Sequence, residues 1–281
     1  MKTIKIKCPA KVNLTLEILN KRDDGYHNIK SIMHTISLYD ILTIKIEEHA
    51  FNEITLSGNS DKIPYDEKNI VYKAILLYLQ NCEKNYNVSV NIQKNIPVEA
   101  GLAGGSTDAA GVLYGLNSLI KKYSHSEIEG FCAKLGSDLN VCLNGGCVLA
   151  TSRGEVTEKL PALNHPITLI KPKNLGISTK TAYGKYAKNP IPKSVLMTDL
   201  MVDAIKEGKP INEYLYNDLE QVLLIDYNEF KTIKNSIPNA IMTGSGSTYY
   251  VLEKELPTKL GQDYEIIENL NLIDLGVEIM Q

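Results

Sequence analysis

Residues 96–111 read IPVEAGLAGGSTDAAG, and the fold class is decided in this stretch. Gly101, Gly104 and Gly105 stand immediately before Ser106, Thr107 and Asp108, and from Ala109 onward Val112, Leu113, Leu116 and Ile120 recur at helical spacing. Glycines let the backbone approach an anion closely, and the unpaired N–H groups of a first helical turn point at it. Two accounts fit the residues alone: a tight turn closed by a serine N-cap, or a phosphate cradle. The density of small residues from Ala100 to Ala110 favours the cradle. No lysine precedes the Ser-Thr pair as in GxxxxGK[ST], and no ribose-binding acid follows as a GxGxxG turn requires, so neither of the commonest nucleotide motifs applies. A hydroxyl on Ser106 or Thr107 would help hold Mg²⁺ beside bound phosphates.

Outward from the loop, alternating residues predict strands over 3–7, 12–19, 32–38 and 42–47, with Asp23-Asp24-Gly25 as a turn. A helix follows Asn69, and a strand over 88–92 leads into the glycine loop. Ser124 and Glu127 form a capping box for a helix stopping near Gly136, and Gly145-Gly146 opens a strand through Ala150. Pro161 and Pro166 mark a boundary between residues 1–160 and 161–281. The second part predicts helices over 179–186, 195–205, 215–224 and 227–233, strands around 240–242 and 249–252, a helix near 264–270 and a strand over 273–279. The reading is α+β, in two lobes with the ligand cleft between them.

The 281 residues carry 30 basic and 33 acidic side chains, interspersed, so the electrostatic footprint of a nucleic-acid partner is missing. The opening MKTIKIKCPAKVNLTLEI alternates instead of forming the apolar core of a signal peptide, and no apolar run approaches the roughly 20 residues of a membrane span. Asn13-Leu14-Thr15 therefore reads as a strand rather than a glycosylation site. Cys8, Cys82, Cys132, Cys142 and Cys147 make no CxxC pair, and are expected to be reduced and buried. A cytoplasmic protein, monomeric or weakly dimeric, is the expectation.

Two charged residues stand out. Lys11 enters an alternating strand with Asn13 on the same face, and Asp138 lies in a Gly-Ser-Asp turn between apolar segments. If they meet near the glycine loop, the carboxylate can accept a hydroxyl proton while the ammonium offsets phosphoryl charge. A structural ion pair or a helix-capping aspartate fits the residues equally.

The stretches CPAKVNLTLEILNKRDDGYHNIKSIM, IPVEAGLAGGSTDAAGVLYGLN, KLGSDLNVCLNGGCVLATSRGE and IMTGSGSTYYVLE together resemble the 4-diphosphocytidyl-2-C-methyl-D-erythritol kinase family of the GHMP kinase superfamily, over nearly the whole chain. The glycine loop is shared by the superfamily, whereas the PAK-N-L start joined to RxDGYH is much more specific to this branch. The resemblance implies ATP-dependent phosphorylation of the substrate's 2-hydroxyl. It implies Lys11 and Asp138 as catalytic residues with Asn13 beside the substrate hydroxyls. Gly101, Leu102, Ala103, Gly104, Gly105, Ser106 and Thr107 would receive the nucleotide phosphates, Ser106 with Mg²⁺, and Asn69 and Lys94 its adenine end. Tyr26 and Tyr183 would stack on cytosine, with His27 bonded to its edge, and Gly244, Ser245 and Gly246 would contact substrate.

Without the family, Asn69 reads as a helix cap, Lys94 as a solvated edge charge, Tyr26-His27 as part of a hairpin turn, and residues 243–246 as another. Three residues depart from the family pattern: Glu99, Asn140 and Ser247. Rival readings are a GHMP kinase for a smaller alcohol such as homoserine or a mevalonate derivative, which would not need the Tyr26-His27-Tyr183 pocket, and a catalytically silent binding homologue, against which Lys11 and Asp138 argue.

Overall fold

Strand β1 (Lys2–Lys21) continues through Pro9 as one element where the alternation predicts two. The proline is tolerated because the register shifts between Pro9 and Ala10; a second shift lies between Asn13 and Thr15, so two irregularities bracket Lys11. The computed structural model describes residues 1–280. After β1 come β2 (His27–His49), β3 (Glu53–Gly58), α1 (Ile70–Leu79), β4 (Asn85–Gln93), α2 (Gly104–Ile120), α3 (His125–Leu135), α4 (Leu139–Asn144), β5 (Cys147–Thr151) and β6 (Val156–Lys159). The second half adds β7 (Pro166–Pro172), α5 (Thr179–Tyr186), α6 (Met197–Lys206), β8 (Tyr216–Asn217), α7 (Asp218–Leu223), α8 (Asn228–Ser236), β9 (Ile241–Met242), β10 (Tyr249–Val251), β11 (Tyr264–Asn271) and β12 (Glu278–Ile279).

The fold is α+β and two-lobed. A mixed sheet runs β12-β1-β2-β4-β3, with β5 paired to β2, β6 to β5 and β8 to β1; a second, antiparallel sheet runs β11-β7-β10-β9. Helices α1 and α2 cover the first sheet, where Val112, Leu113 and Leu116 bury against Ile6, Leu42 and Ile44. Leu14, Ile36 and Leu102 share a core with Leu169 and Tyr250 of the second sheet. Strands β8 and β12 return from the second half of the chain to hydrogen-bond to β1.

The helix expected near 264–270 is strand β11. A register shift between Ile267 and Leu270, with Asn269 at φ 60°, puts these two apolar residues on one face at a spacing of three, which mimics helical periodicity. The helix expected over 215–224 starts later, because Asn217 ends β8 and caps α7 by accepting the Leu219 N–H at 2.9 Å. Of the strand expected over 273–279 only β12 forms. Strand β3 escapes the pattern because Leu56 is its one buried residue. The capping box at Ser124 and Glu127 forms as expected.

His34 lies fully buried in β2, its Nδ1 donating to the Thr35 carbonyl at 2.9 Å and its Nε2 accepting the Leu163 N–H at 3.4 Å. Burial pushes its pKa down to about 4. The unfolded chain takes up this proton near pH 6.5 and the native one resists until about 4, so stability falls as pH drops through that window and levels off below it. The expected loss is about 3 kcal/mol. Urea unfolding at pH 7 and pH 4 checks it, His34→Gln removing this share of the difference.

Candidate active site

A cleft of about 1040 Å³ runs between the lobes, at the upper end of the range for small-molecule sites, as two ligands require. Lys11 and Asn13 line it from β1, Asp138 from the start of α4, the glycine loop from the start of α2, and Gly244 and Ser245 from the loop between β9 and β10.

Lys11 is buried, its Nζ 3.4 Å from Asp138 Oδ2 and donating to Asn13 Oδ1 at 2.6 Å. Asn13 Nδ2 donates to Ser31 Oγ at 2.8 Å, which fixes the amide with its oxygen toward the ammonium. Asp138 occupies the N-cap position of α4, yet its side chain makes no capping bond. The carboxylate is therefore free to face Lys11 and the cleft, and the capping alternative falls away.

The glycine loop is strained in an ordered way. Glu99, Gly101 and Ala103 have φ of 52°, 73° and 58°, so every second residue is left-handed, a conformation that turns successive N–H groups into one concavity suited to anions. Helix α2 begins at Gly104 with Ala103 as its cap residue, and no side chain caps it. Ser106 thus lies in the first turn, the serine N-cap alternative is excluded, and Gly104, Gly105 and Ser106 line the cleft. The Lys11 N–H binds the Leu102 carbonyl at 3.2 Å, which ties β1 to this loop.

The structure does not bring Thr107 into the cleft. Its side chain is buried and its N–H is bonded to the Ala103 carbonyl at 2.9 Å, so of the two hydroxyls only that of Ser106 is placed to meet a metal–phosphate group. Asn69 lines the cleft, but its amide caps α1 through the Val71 N–H and donates to the Pro64 carbonyl at 2.6 Å. Lys94 is not a solvated edge charge. It is buried between Asp40 and Asp108, and burial, opposed by the Lys94 ammonium, holds the Asp108 carboxyl above the usual carboxylate range.

The late loop is a hairpin turn that also clamps the glycine loop. Thr243 Oγ1 accepts the Asn13 N–H at 3.0 Å and donates to the Gly101 carbonyl at 3.3 Å, and the Thr248 N–H binds the Ala100 carbonyl at 3.4 Å. The Gly246 N–H closes the turn on the Thr243 carbonyl at 3.0 Å, so Gly246 sits behind Gly244 and Ser245 rather than on the cleft wall. Among the departures, Glu99 leans onto the backbone of Gly176, Ser247 donates to the Leu175 carbonyl, and Asn140 is buried in α4.

At the other end of the cleft, Arg22 holds the turn after β1 by bonding to Asp24, Asn28 Oδ1 and Ser152 Oγ. Tyr26, 59% exposed, and His27 project from this turn, and the His27 and Tyr183 rings lie 5.6 Å apart. Burial, and next the Lys21 charge, lower the His27 pKa, which keeps the ring neutral and able to accept or donate a hydrogen bond. Two residues went unread in the sequence. Arg153 stacks 5.4 Å from the Tyr26 ring, and Thr179 Oγ1 reaches Ser245 Oγ at 3.4 Å; an arginine in a turn and a threonine at a helix start carry no local signal.

Residues 69–149 match the family described as GHMP kinases N terminal domain. The chain is 40% identical to the 4-diphosphocytidyl-2-C-methyl-D-erythritol kinase of Caldicellulosiruptor saccharolyticus, over 87% of this chain and 86% of that one. It is 36% identical to the enzyme of the same name from Caldanaerobacter subterraneus subsp. tengcongensis, over 99% of each. A crystal structure of 4-(cytidine 5'-diphospho)-2C-methyl-D-erythritol kinase superposes with a TM-score of 0.73 at 28% identity, over 89% of this chain and 90% of that one. A homoserine kinase from Cytophaga hutchinsonii superposes at 0.76 with 19% identity, over 100% and 98% of the two chains, a likeness of fold.

Proposed function

Because the chain belongs to the 4-diphosphocytidyl-2-C-methyl-D-erythritol kinase family of the GHMP kinases, we infer that the interlobe cleft is its active site and that Asp138, Lys11 and Asn13 form the reacting end. The protein is an ATP-dependent kinase that phosphorylates the 2-hydroxyl of 4-diphosphocytidyl-2-C-methyl-D-erythritol, giving the 2-phosphate and ADP in non-mevalonate isoprenoid precursor biosynthesis. The observation that carries the site assignment is the uncapping Asp138 carboxylate held 3.4 Å from a buried ammonium.

Phosphoryl transfer needs the attacking oxygen in line with phosphorus and its equatorial charge met by cations and N–H groups. Asp138 aligns the 2-hydroxyl and accepts its proton. Lys11 holds Asp138 and meets developing charge, and Asn13 orients the neighbouring hydroxyl. The loop from Gly101 to Ser106 receives the phosphates on backbone N–H groups. Ser106, in the first turn of α2 on the cleft wall, would help hold a Mg²⁺ bound mainly through the phosphates. Bound Mg²⁺ would neutralise phosphate charge.

Tyr26, His27, Tyr183 and Arg153 select the cytidine head, Gly244 and Ser245, backed by Gly246, shape the substrate side, and Asn69 and Lys94 frame the adenine end. The division at residue 160, a cytoplasmic setting, a monomeric or weakly dimeric state and the lack of a nucleic-acid partner belong to the same proposal. Among the described residues no helix is long and apolar enough to cross a membrane, and the five cysteines are free, Cys82 half-buried and the rest buried.

Coupled ADP release with the diphosphocytidyl substrate, homoserine and mevalonate compounds tests the reading: turnover is expected with the first alone, and a preference for either of the others would refute it. Tyr26→Ala should weaken the cytidyl substrate by roughly 1–3 kcal/mol through the lost stacking platform, and leave ATP affinity in place. Calorimetric titration with each ligand separates this from a folding defect, which would weaken both.

A further inference from the structure

We propose that Lys94 is a positioning residue for phosphoryl transfer: gripped by Asp40 and Asp108, its ammonium fixes the first turn of α2, and with it the N–H groups that meet the nucleotide's phosphates. The inference rests on reading the glycine loop as the nucleotide cradle.

Lys94 follows directly on β4, and its Nζ bonds to Asp40 of β2 and to Asp108 Oδ2 of α2, the latter at 2.9 Å. None of the three side chains is more than 6% exposed. The other oxygen of Asp40 accepts the N–H groups of Asn95 at 2.6 Å and Ile96 at 2.9 Å, so the same carboxylate anchors the segment entering the loop. At the far end of the loop the ammonium rests against the helix opening: a methyl placed on Gly104 would stand 3.0 Å from Lys94 Nζ. One cation therefore ties together β2, the approach to the loop and the helix that follows it.

Helix α2 starts without a side-chain cap, and its N-terminal residues Gly104 and Gly105 are the poorest helix formers after proline. Such an end frays unless something below it holds the helix down. Asp108, in the turn after the glycines, is where Lys94 takes hold, by a charge-assisted bond shielded from water. A frayed first turn would still bind the cytidyl substrate, because none of the residues assigned to it lies on α2, but would present its N–H groups in many orientations.

The test measures kcat, and KM for ATP and for the cytidyl substrate separately, in Asp108→Ala, Lys94→Met/Asp108→Asn and Lys94→Arg, together with amide hydrogen exchange at residues 104–108 in the nucleotide-free protein. Asp108→Ala cuts the link to α2 while leaving the Lys94–Asp40 pair balanced, so it keeps the proposal testable if the double variant fails to fold. Asp108→Ala and the double variant should raise KM for ATP about tenfold, speed exchange at 104–108 and leave the KM of the cytidyl substrate within about twofold, with Lys94→Arg in between. A folded Asp108→Ala protein with parental KM for ATP and parental exchange overturns the proposal, as does an equal rise in both KM values. Gly105→Val separates this outcome from failure of the cradle reading, because Gly105 lines the cleft and a Cβ there meets nothing nearer than Ile70 Cγ2 at 3.7 Å, so the substitution adds bulk at the proposed phosphate site with no backbone clash at its Cβ. If Gly105→Val leaves KM for ATP unchanged, the cradle is misplaced and the proposal falls with it; if it raises that KM while the Lys94 and Asp108 variants do not, only the positioning role is lost.

Discussion

Replacing Asp138 by Asn should lower kcat by on the order of 10²-fold or more while both substrates bind nearly as before, the scale of loss when positioned proton transfer is removed. Asparagine keeps the size of the side chain and one acceptor, so Lys11 Nζ, 3.4 Å from Oδ2 in the parent, still has a partner. What disappears is the charge that takes the proton. The helix should not suffer, because the Asp138 side chain makes no capping bond to α4. Lys11→Ala should also lower kcat, and it leaves Asn13 Oδ1 without its 2.6 Å donor. The double variant should lose less than the two single losses combined, because Lys11 and Asp138 work as a unit. Strict additivity in kcat would argue against a coupled pair.

Gly101→Ala should destabilise the protein by on the order of 3–5 kcal/mol and weaken ATP binding at the same time. The position has φ 73°, and a Cβ there would stand 2.2 Å from the Thr243 carbonyl oxygen, so the clash is with backbone and no rotamer relieves it. Thr243 also bonds to Asn13 and to the Gly101 carbonyl, so any retreat of the late loop opens the contact between the lobes. Gly208 supplies the comparison: at φ 68° with nothing within 4 Å, Gly208→Ala meets only the left-handed penalty, about 1–2 kcal/mol. Thermal unfolding should place Gly101→Ala about 10 °C below the parent and well below Gly208→Ala. Equal melting temperatures for the two variants would mean that the close approach of the loops carries no energy.

The parts of the site that could be read from the sequence are those whose chemistry is local. Glycines before a helical pattern announce the loop, and a lysine and an aspartate set in apolar surroundings need a partner, which each finds in the other. The hidden parts depend on residues far apart in the chain. Lys94 reads as an edge charge until Asp40 and Asp108, 54 and 14 positions away, close around it. Glu99 and Ala103 gave no sign of left-handed backbone, since only glycine advertises that conformation in sequence. In the fold, the capping box at Ser124 was legible because it is complete within four residues. Strand β11 was not, because one extra residue at its bulge changed a period of two into a spacing of three.

The most direct test of the central claim is a single-turnover reaction of ATP with the diphosphocytidyl substrate, enzyme in excess, quenched in time and followed by phosphorus NMR for the parent and Asp138→Asn. One new phosphomonoester on the 2-oxygen is expected from the parent, and the folded variant, with both ligands bound, should form it on the order of 10²-fold more slowly. A phosphate placed on another oxygen, or formation at the parental rate by the folded variant, would contradict the assignment of Asp138 as proton acceptor at the 2-hydroxyl.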